Sequence, residues 1–147
     1  NHSLSHNFNL LYPGRVPNKS QIVSEVDQTN ANFQAILGKD FKTRIFRYPG
    51  GHMSWQGLEA TDHALANQGI QWIDWNMLCG DAEPASVRPT TSETMMAYMD
   101  GSQQYFPESH VKVVLMHDTA GKELTVQTLP QIIEYFKNQG YTFGVLE

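Results

Sequence analysis

The sequence has 147 residues, of which 40% are hydrophobic and 17% are charged, a composition ordinary for one globular domain. The formal net charge of −5 argues against a nucleic-acid partner, because phosphate backbones are bound by basic surfaces. The single cysteine, Cys79, excludes an internal disulfide and a Cys-rich zinc site. No apolar run approaches the roughly 20 residues that a membrane-spanning helix needs.

The chain begins with two histidines, His2 and His6, that lie four residues apart. If this segment were helical, both imidazoles would lie on one face, because a helical turn takes about 3.6 residues. Two neutral imidazoles so arranged can bind one borderline-soft cation such as Zn²⁺. The alternative is a pair of surface or capping histidines, and the spacing alone does not decide between the two.

Hydrophobic periodicity and turn residues predict helices that alternate with strands along the rest of the chain. The helices are predicted at residues 18–38, 55–68, 90–99 and 125–139, and the strands at residues 43–47, 70–76, 111–116 and 141–146. Asn18 with Gln21, and Thr90 with Glu93, are predicted capping boxes for two of the helices. Such alternation is typical of a parallel sheet with crossover helices, and it leaves open whether the sheet closes into a barrel.

Three polar residues, Arg47, Asp81 and His117, lie at or just beyond the ends of predicted strands. Active sites of α/β folds are built at the carboxyl ends of their strands. We therefore expect these three side chains to belong to a functional site.

Four stretches carry the motifs of a known family in the family's order. They are His-Ser-Leu-Ser-His at residues 2–6, Arg-Tyr-Pro-Gly-Gly at residues 47–51, Asp81, and Leu-Met-His-Asp at residues 115–118. With these motifs the chain resembles, over nearly its whole length, the NodB-type polysaccharide deacetylases, which remove acetyl groups from N-acetylglucosamine polymers and acetylated xylan. The resemblance implies an α/β fold, a distorted (β/α) barrel whose N-terminal strand or strands are missing from this chain.

One motif of the family is not in the sequence. The family opens with Thr-Phe-Asp-Asp-Gly, in which the first Asp is the catalytic base and the second is a zinc ligand, and the 147 residues contain no Asp-Asp pair. The resemblance thus implies that residues 1–147 are the C-terminal portion of a deacetylase catalytic domain. We expect an upstream segment or a companion chain to carry the Asp-Asp motif, and we expect the chain alone to be inactive.

The resemblance also implies roles for individual residues. His2 and His6 would bind zinc or another divalent metal such as cobalt. His117 would be the general acid, a task that suits an imidazole with a pKa near neutrality. Arg47 would hold the catalytic Asp of the missing motif. The ordinary alternatives are a structural histidine at 117 and a surface salt bridge at 47.

Two aspartates compete for the role of orienting His117. Asp81 matches the family's position by its distance past the strand, but Ala82 stands where the family usually has Trp. Asp74 is the rival, because Asp74-Trp75 also reads as an Asp-Trp pair. We favour Asp81 and keep Asp74 as the alternative.

The remaining motif residues are expected to form the substrate groove and the acetyl pocket. They are Tyr48, Pro49, Gly50 and Leu115, and either Trp75 or Trp72 would take the place of the family's Trp that Ala82 replaces. Proline fixes a backbone angle, and glycine allows the backbone to approach a sugar ring closely.

The function that the resemblance implies is a metal-dependent hydrolase that cleaves the amide bond of N-acetyl groups on glycan polymers. Peptidoglycan N-acetylglucosamine is the expected substrate, with chitin and acetyl-xylan left open. The rival function is a non-catalytic glycan-binding module that keeps the groove. A peptidoglycan enzyme would be extracellular or face the cell wall, with a membrane anchor in an absent N-terminal region as an option.

Overall fold

The computed structural model describes residues 1–146, which form two compact units. The first unit comprises residues 1–74 with Val145 and Leu146, and the second comprises Trp75–Gly144. Among the described residues, no helix is both long enough and apolar enough to cross a membrane. The assignment of residues 1–147 to a single catalytic domain stays a prediction.

The first unit contains three helices and one pair of parallel strands. Its elements are helix α1 (Phe8–Leu11), a 3₁₀ turn (Pro13–Arg15), helix α2 (Lys19–Leu37), strand β1 (Ile45–Phe46), a 3₁₀ turn (His52–Ser54), helix α3 (Glu59–Ala66) and strand β2 (Gln71–Trp72). Strands β1 and β2 pair in parallel, with Ile45 opposite Gln71 and Phe46 opposite Trp72. Helix α3 is the crossover between the two strands, as the alternating pattern predicted.

The start of α2 shows why the chain turns helical there. The side chain of Asn18 accepts a hydrogen bond from the backbone N–H of Gln21, as the predicted capping box requires. The side chain of Gln21 instead donates to Glu25, so only half of the box forms. The apolar face of α2 packs into the core of the unit, which consists of Leu11, Tyr12, Ile22, Val26, Phe46, Tyr48, Leu58, Leu65 and Ile70.

The second unit repeats the strand–helix–strand arrangement. Its elements are strand β3 (Met77–Leu78), helix α4 (Ser92–Ser102), a 3₁₀ turn (Gln103–Tyr105), strand β4 (Val114–Leu115) and helix α5 (Glu123–Asn138). Strands β3 and β4 pair in parallel, with Met77 opposite Val114 and Leu78 opposite Leu115. Its core consists of Met77, Cys79, Met95, Met99, Ile132 and Phe136.

Several predicted elements differ from the structure. The strand predicted at residues 70–76 is shorter, because only Gln71–Trp72 pairs within it. The strand predicted at residues 141–146 was wrong, since within the described part of the chain these residues make no strand pairing. The third predicted helix begins at Ser92, and its capping box lies one residue later than expected, made by Thr91 and Thr94 rather than by Thr90 and Glu93.

Candidate active site

His2 and His6 are brought together by a loop and not by a helix. Their ring centroids lie 4.9 Å apart, with the ring planes inclined by 66°. Ser3 and His6 adopt left-handed backbone angles, with φ of 66° and 52°. Such angles end any regular helix, so the same-face geometry of a helical segment does not apply here.

The loop is fastened to α2 by one buried carboxylate, that of Glu25. Its oxygens accept hydrogen bonds from the backbone N–H groups of Leu4 (3.1 Å) and Ser5 (2.9 Å) and from the Ser5 hydroxyl (2.7 Å). Burial acts to raise the pKa of Glu25, but these bonds and one from Gln21 outweigh it and lower the pKa. The sequence analysis missed Glu25, although a glutamate beside the buried Ile22 and Val26 on α2 was a usable signal.

The imidazole of His2 is held in a defined tautomer. Its Nδ1 atom lies 2.5 Å from the carbonyl oxygen of Arg47, and a carbonyl oxygen can only accept a hydrogen bond. The ring therefore donates from Nδ1 and keeps the lone pair of Nε2 free for a ligand. Burial lowers the pKa of His2 to about 4, against the opposing effect of the bond to Arg47, so the ring is neutral near pH 7.

Arg47 follows β1 directly and is half-buried. Burial lowers the pKa of its guanidinium, and the negative charge of Asp74 opposes this effect. An arginine keeps its charge through such a change, because its ordinary pKa lies far above neutral pH. The catalytic Asp that Arg47 would hold belongs to the Asp-Asp motif, which these 147 residues do not contain. The role of Arg47 therefore stays a prediction.

Asp74, the rival candidate for orienting His117, is engaged elsewhere. Its two carboxylate oxygens accept hydrogen bonds from the backbone N–H groups of His52 (2.8 Å) and Met53 (2.9 Å). Both bonds go to the first residues of the 3₁₀ turn after β1. Asp74 thus anchors that turn.

The side chain of Tyr48 is fully buried, contrary to its predicted place in the substrate groove. It packs edge-on against Phe46, with ring centroids 4.7 Å apart, and its hydroxyl donates to Asp62 of α3 at 2.8 Å. The prediction for this side chain was wrong because Tyr48, like Phe46 two residues earlier, packs into the core of the first unit. Its side chain is a core residue.

Pro49 and Gly50 form a tight turn that packs against aromatic rings. The carbonyl of buried Pro49 accepts a hydrogen bond from the indole N–H of Trp55 at 2.9 Å. Gly50 has φ of 81°, and a Cβ atom on it would lie 3.3 Å from the rings of Phe8 and Trp55. The structure therefore accounts for this glycine by backbone angle and internal packing, and approach of a sugar to it stays a prediction.

Aromatic side chains that the sequence analysis missed flank the histidine pair. Phe8 stacks against His6, with centroids 5.3 Å apart, and meets Trp55 edge-on at 5.5 Å. Tyr12 lies flat on Trp55 at 3.7 Å. The spacing of Phe8 and Tyr12, four residues apart directly after the histidine motif, was the available signal. Phe8 remains 44% exposed, so an aromatic surface borders His6.

In the second unit, Asp81 and His117 meet at the carboxyl ends of β3 and β4. One oxygen of Asp81 lies 2.8 Å from Nδ1 of His117, and the other accepts a hydrogen bond from the backbone N–H of His117, also at 2.8 Å. Asp81 is 4% exposed, whereas the side chain of His117 is 31% exposed. Burial acts to raise the pKa of Asp81, but the bonds from His117 outweigh it and lower the pKa.

These contacts distinguish Asp81 from Asp74, the two candidates for orienting His117. Asp81 contacts His117 through both oxygens, whereas both oxygens of Asp74 bond to a different turn. Since an ionised carboxylate only accepts, His117 donates from Nδ1 and presents Nε2 outward. An imidazole so fixed can give or take a proton at Nε2.

Leu115 and Trp75, the other predicted groove residues, are half-buried. Leu115 ends β4 two residues before His117, and Trp75 precedes β3. Their contact with substrate stays a prediction.

Comparison with known proteins decides the family. The structure of a Streptococcus mutans CE4 esterase superposes with a TM-score of 0.97 at 56% sequence identity, covering 99% of this chain and 61% of that one. The chain belongs to the polysaccharide deacetylases of carbohydrate esterase family 4. It is a fragment of the NodB-type distorted (β/α) barrel, and the family and fold class predicted from the motifs are thereby confirmed.

Two further relatives agree with this family. The catalytic domain of peptidoglycan N-acetylglucosamine deacetylase from Eubacterium rectale ATCC 33656 is 28% identical, with a TM-score of 0.75, over 99% of this chain and 63% of that one. "Putative polysaccharide deacetylase YheN" of Bacillus subtilis (strain 168) is 30% identical over 99% of this chain. The chain spans about half the length of YheN, 47%. No protein-family model matches the chain.

Proposed function

We propose that the chain is part of a metal-dependent deacetylase that hydrolyses the amide bond of N-acetyl groups on a glycan, with peptidoglycan N-acetylglucosamine as the substrate. Its relatives are polysaccharide deacetylases, and the solved relative from Eubacterium rectale is named for peptidoglycan N-acetylglucosamine. The observation that carries the proposal is the bond between the buried Asp81 and the partly exposed His117. Such an enzyme would work outside the cell or facing the cell wall.

The histidine pair has the chemistry of a metal site. The His2 ring is neutral and its Nε2 lone pair is free. The centroids of the His2 and His6 rings lie 4.9 Å apart, a separation that suits two imidazole ligands of one zinc or cobalt ion. Within residues 1–146 no cluster of three His, Cys, Asp or Glu side chains could complete the ligand set. We propose that a further ligand comes from the Asp-Asp motif of an upstream segment or companion chain. A divalent metal held there would supply an activated water and a positive charge for the developing oxyanion.

His117 is proposed to protonate the leaving amine. Amide cleavage at neutral pH needs an acid there, because a free amide anion is too basic to leave unprotonated. The Asp81 carboxylate fixes the ring through Nδ1, so the proton that His117 would transfer is the one on Nε2. Arg47 is proposed to hold the catalytic base, since its guanidinium is charged and half-buried.

The proposal is tested by measuring both products. The intact protein, loaded with Zn²⁺ or Co²⁺, is given N-acetylglucosamine oligomers, peptidoglycan, and acetylated xylan as the comparator. We expect acetate and free amine in equal amounts from the N-acetylated glycans. Acetate from xylan alone would make the enzyme an O-deacetylase. Glycan binding without acetate release would contradict catalysis and favour the non-catalytic binding module.

A further inference from the structure

The first turn of helix α5 and the residue before it supply two hydrogen bonds to Asp81 that the proposed reaction does not itself require. The hydroxyl of Thr125 donates to the Oδ2 atom of Asp81 at 3.0 Å, and Thr125 is 5% exposed. The ammonium group of Lys122, the residue just before α5, donates to the backbone carbonyl of Asp81. The side chain and the backbone of Asp81 are thus both held by the start of one helix.

We infer that Thr125, assisted by Lys122, is a positioning residue that fixes the Asp81 carboxylate and, through it, the ring of His117. This inference rests on the proposed function of His117. An aspartate carboxylate rotates readily about its last side-chain bond, because that torsion has only a broad, two-fold preference. With Thr125 and the His117 N–H both bonded to Oδ2, the other oxygen must face Nδ1 of the imidazole.

A comparison within α5 argues that the Thr125 hydroxyl is there for Asp81. Thr125 and Thr128 are both buried on the core face of this helix, where an aliphatic residue would pack as well. The Thr128 hydroxyl donates to the carbonyl of Leu124, one turn back in the same helix, and contacts Ser92 of α4. The Thr125 hydroxyl reaches instead to a residue 44 positions away. The Thr128 hydroxyl therefore stabilises contacts within and between helices, whereas the Thr125 hydroxyl binds the Asp81–His117 pair.

The test uses substitutions that separate the hydroxyl from the packing volume. Thr125→Val removes the donor at nearly constant volume, Thr125→Ser keeps the donor, and Thr128→Val is the matched control on the same face. We expect Thr125→Val to lower kcat by about 10-fold, the size usual for residues that orient a functional side chain, with KM and metal content unchanged. Thr125→Ser and Thr128→Val should keep kcat within about 2-fold of the original.

A double substitution shows whether Thr125 acts through Asp81. In the Asp81→Asn background the carboxylate is already gone, so adding Thr125→Val should lower kcat no further. If Thr125→Val lowers kcat by the same factor in the Asp81→Asn background as in the original protein, the inference is overturned. It is also overturned if Thr128→Val lowers kcat as much as Thr125→Val does. Thermal unfolding of each variant shows whether it is folded. If Thr125→Val is misfolded, the kcat of Thr125→Ser decides: a retained kcat supports the inference, and a lost kcat overturns it.

A second readout does not depend on turnover. The Nδ1–H proton of His117, held against a carboxylate, should give a downfield resonance in the proton NMR spectrum. We expect it to persist in Thr125→Ser and Thr128→Val and to shift or broaden in Thr125→Val. An unchanged resonance in Thr125→Val would overturn the inference even if the protein released no acetate. Absence of acetate release with a resonance that responds to Thr125→Val would instead count against the proposed function alone.

Discussion

The Nδ1 atom of His2 lies 2.5 Å from the carbonyl oxygen of Arg47, so the backbone of one motif fixes the tautomer of another. Metal-binding histidines usually donate their second ring N–H to a carbonyl or carboxylate, which sets the ring orientation and keeps the other nitrogen available. Here the partner is the backbone carbonyl of Arg47, directly after β1. A substitution of the Arg47 side chain would leave this carbonyl in place. The two motifs therefore depend on each other structurally.

Removing either imidazole should remove the metal. His2→Ala and His6→Ala in the intact protein should each weaken Zn²⁺ binding by more than about 100-fold, because each would delete one of the few proposed ligands. Binding is measured by competition with a chromophoric chelator. His63→Ala, which changes an exposed histidine on α3, is the control and should bind Zn²⁺ like the original protein. Stoichiometric, tight zinc in both His2→Ala and His6→Ala would show that the metal site lies elsewhere.

Glu25 should make the stability of the first unit sensitive to acid. Because the folded-state pKa of Glu25 lies below its unfolded value of about 4.3, its ionised form stabilises the fold above that pH. The contribution is lost as the pH falls through the folded-state pKa. Glu25→Gln should be about 1–3 kcal/mol less stable at pH 7, since backbone donors in the histidine loop lose a charged acceptor.

Urea unfolding of the metal-free protein at pH 7 and at pH 3 measures this effect. The difference between the original protein and Glu25→Gln should shrink at pH 3. Asp27→Asn, which neutralises an exposed carboxylate two residues further along α2, should change stability by less than about 0.5 kcal/mol at either pH. A Glu25→Gln variant as stable as the original at pH 7 would show that the loop does not depend on this carboxylate.

Gly50→Ala should destabilise the protein, because φ of 81° is strained for alanine and the new methyl group would press on the rings of Phe8 and Trp55. We expect a loss of about 1–3 kcal/mol in the free energy of unfolding. Gly101→Ala is the matched control. Gly101 lies inside α4 with open space around it, so alanine there should stabilise the helix by about 0.5–1 kcal/mol. If both variants lose the same stability, the turn is not the cause.

The Asp81–His117 contact was predicted from the family resemblance, and the order of the strands in the structure explains it. Each residue follows a short strand, and the carboxyl ends of neighbouring parallel strands meet at one edge of a sheet. Asp81 was favoured over Asp74 because its distance past the strand matches the family's position, so that choice also came from the resemblance. The helix boundaries followed from caps in the same way, to within a few residues.

The histidine loop could not be predicted because partners distant in sequence determine its shape. The left-handed angles of Ser3 and His6 accompany hydrogen bonds to Glu25, about 20 residues away, and no local pattern announces such a partner. Tyr48 failed for a related reason. Its motif suggested the groove, but its ring is buried in the core and its hydroxyl donates to Asp62, a partly exposed residue of α3.

The terminal strand failed because a strand needs a pairing partner as well as a suitable composition. Residues 141–146 have the apolar alternation of a strand, yet in the described structure Phe143 is 59% exposed and Val145 is 82% exposed. An alternating pattern of residues indicates which face of a strand would be buried. It does not indicate whether a neighbouring strand is present to pair with it.

The most direct test of the account is the rate of acetate release by His117→Asn. Asparagine keeps a side-chain donor for Asp81 but cannot protonate a leaving amine, so kcat on an N-acetylglucosamine oligomer should fall by about 10²- to 10⁴-fold. The bound metal should be retained, and His110→Asn, at an exposed histidine of the same unit, should keep the original rate. A His117→Asn variant that loses its metal would make His117 a ligand, and one that keeps the original kcat would contradict its assignment as the general acid.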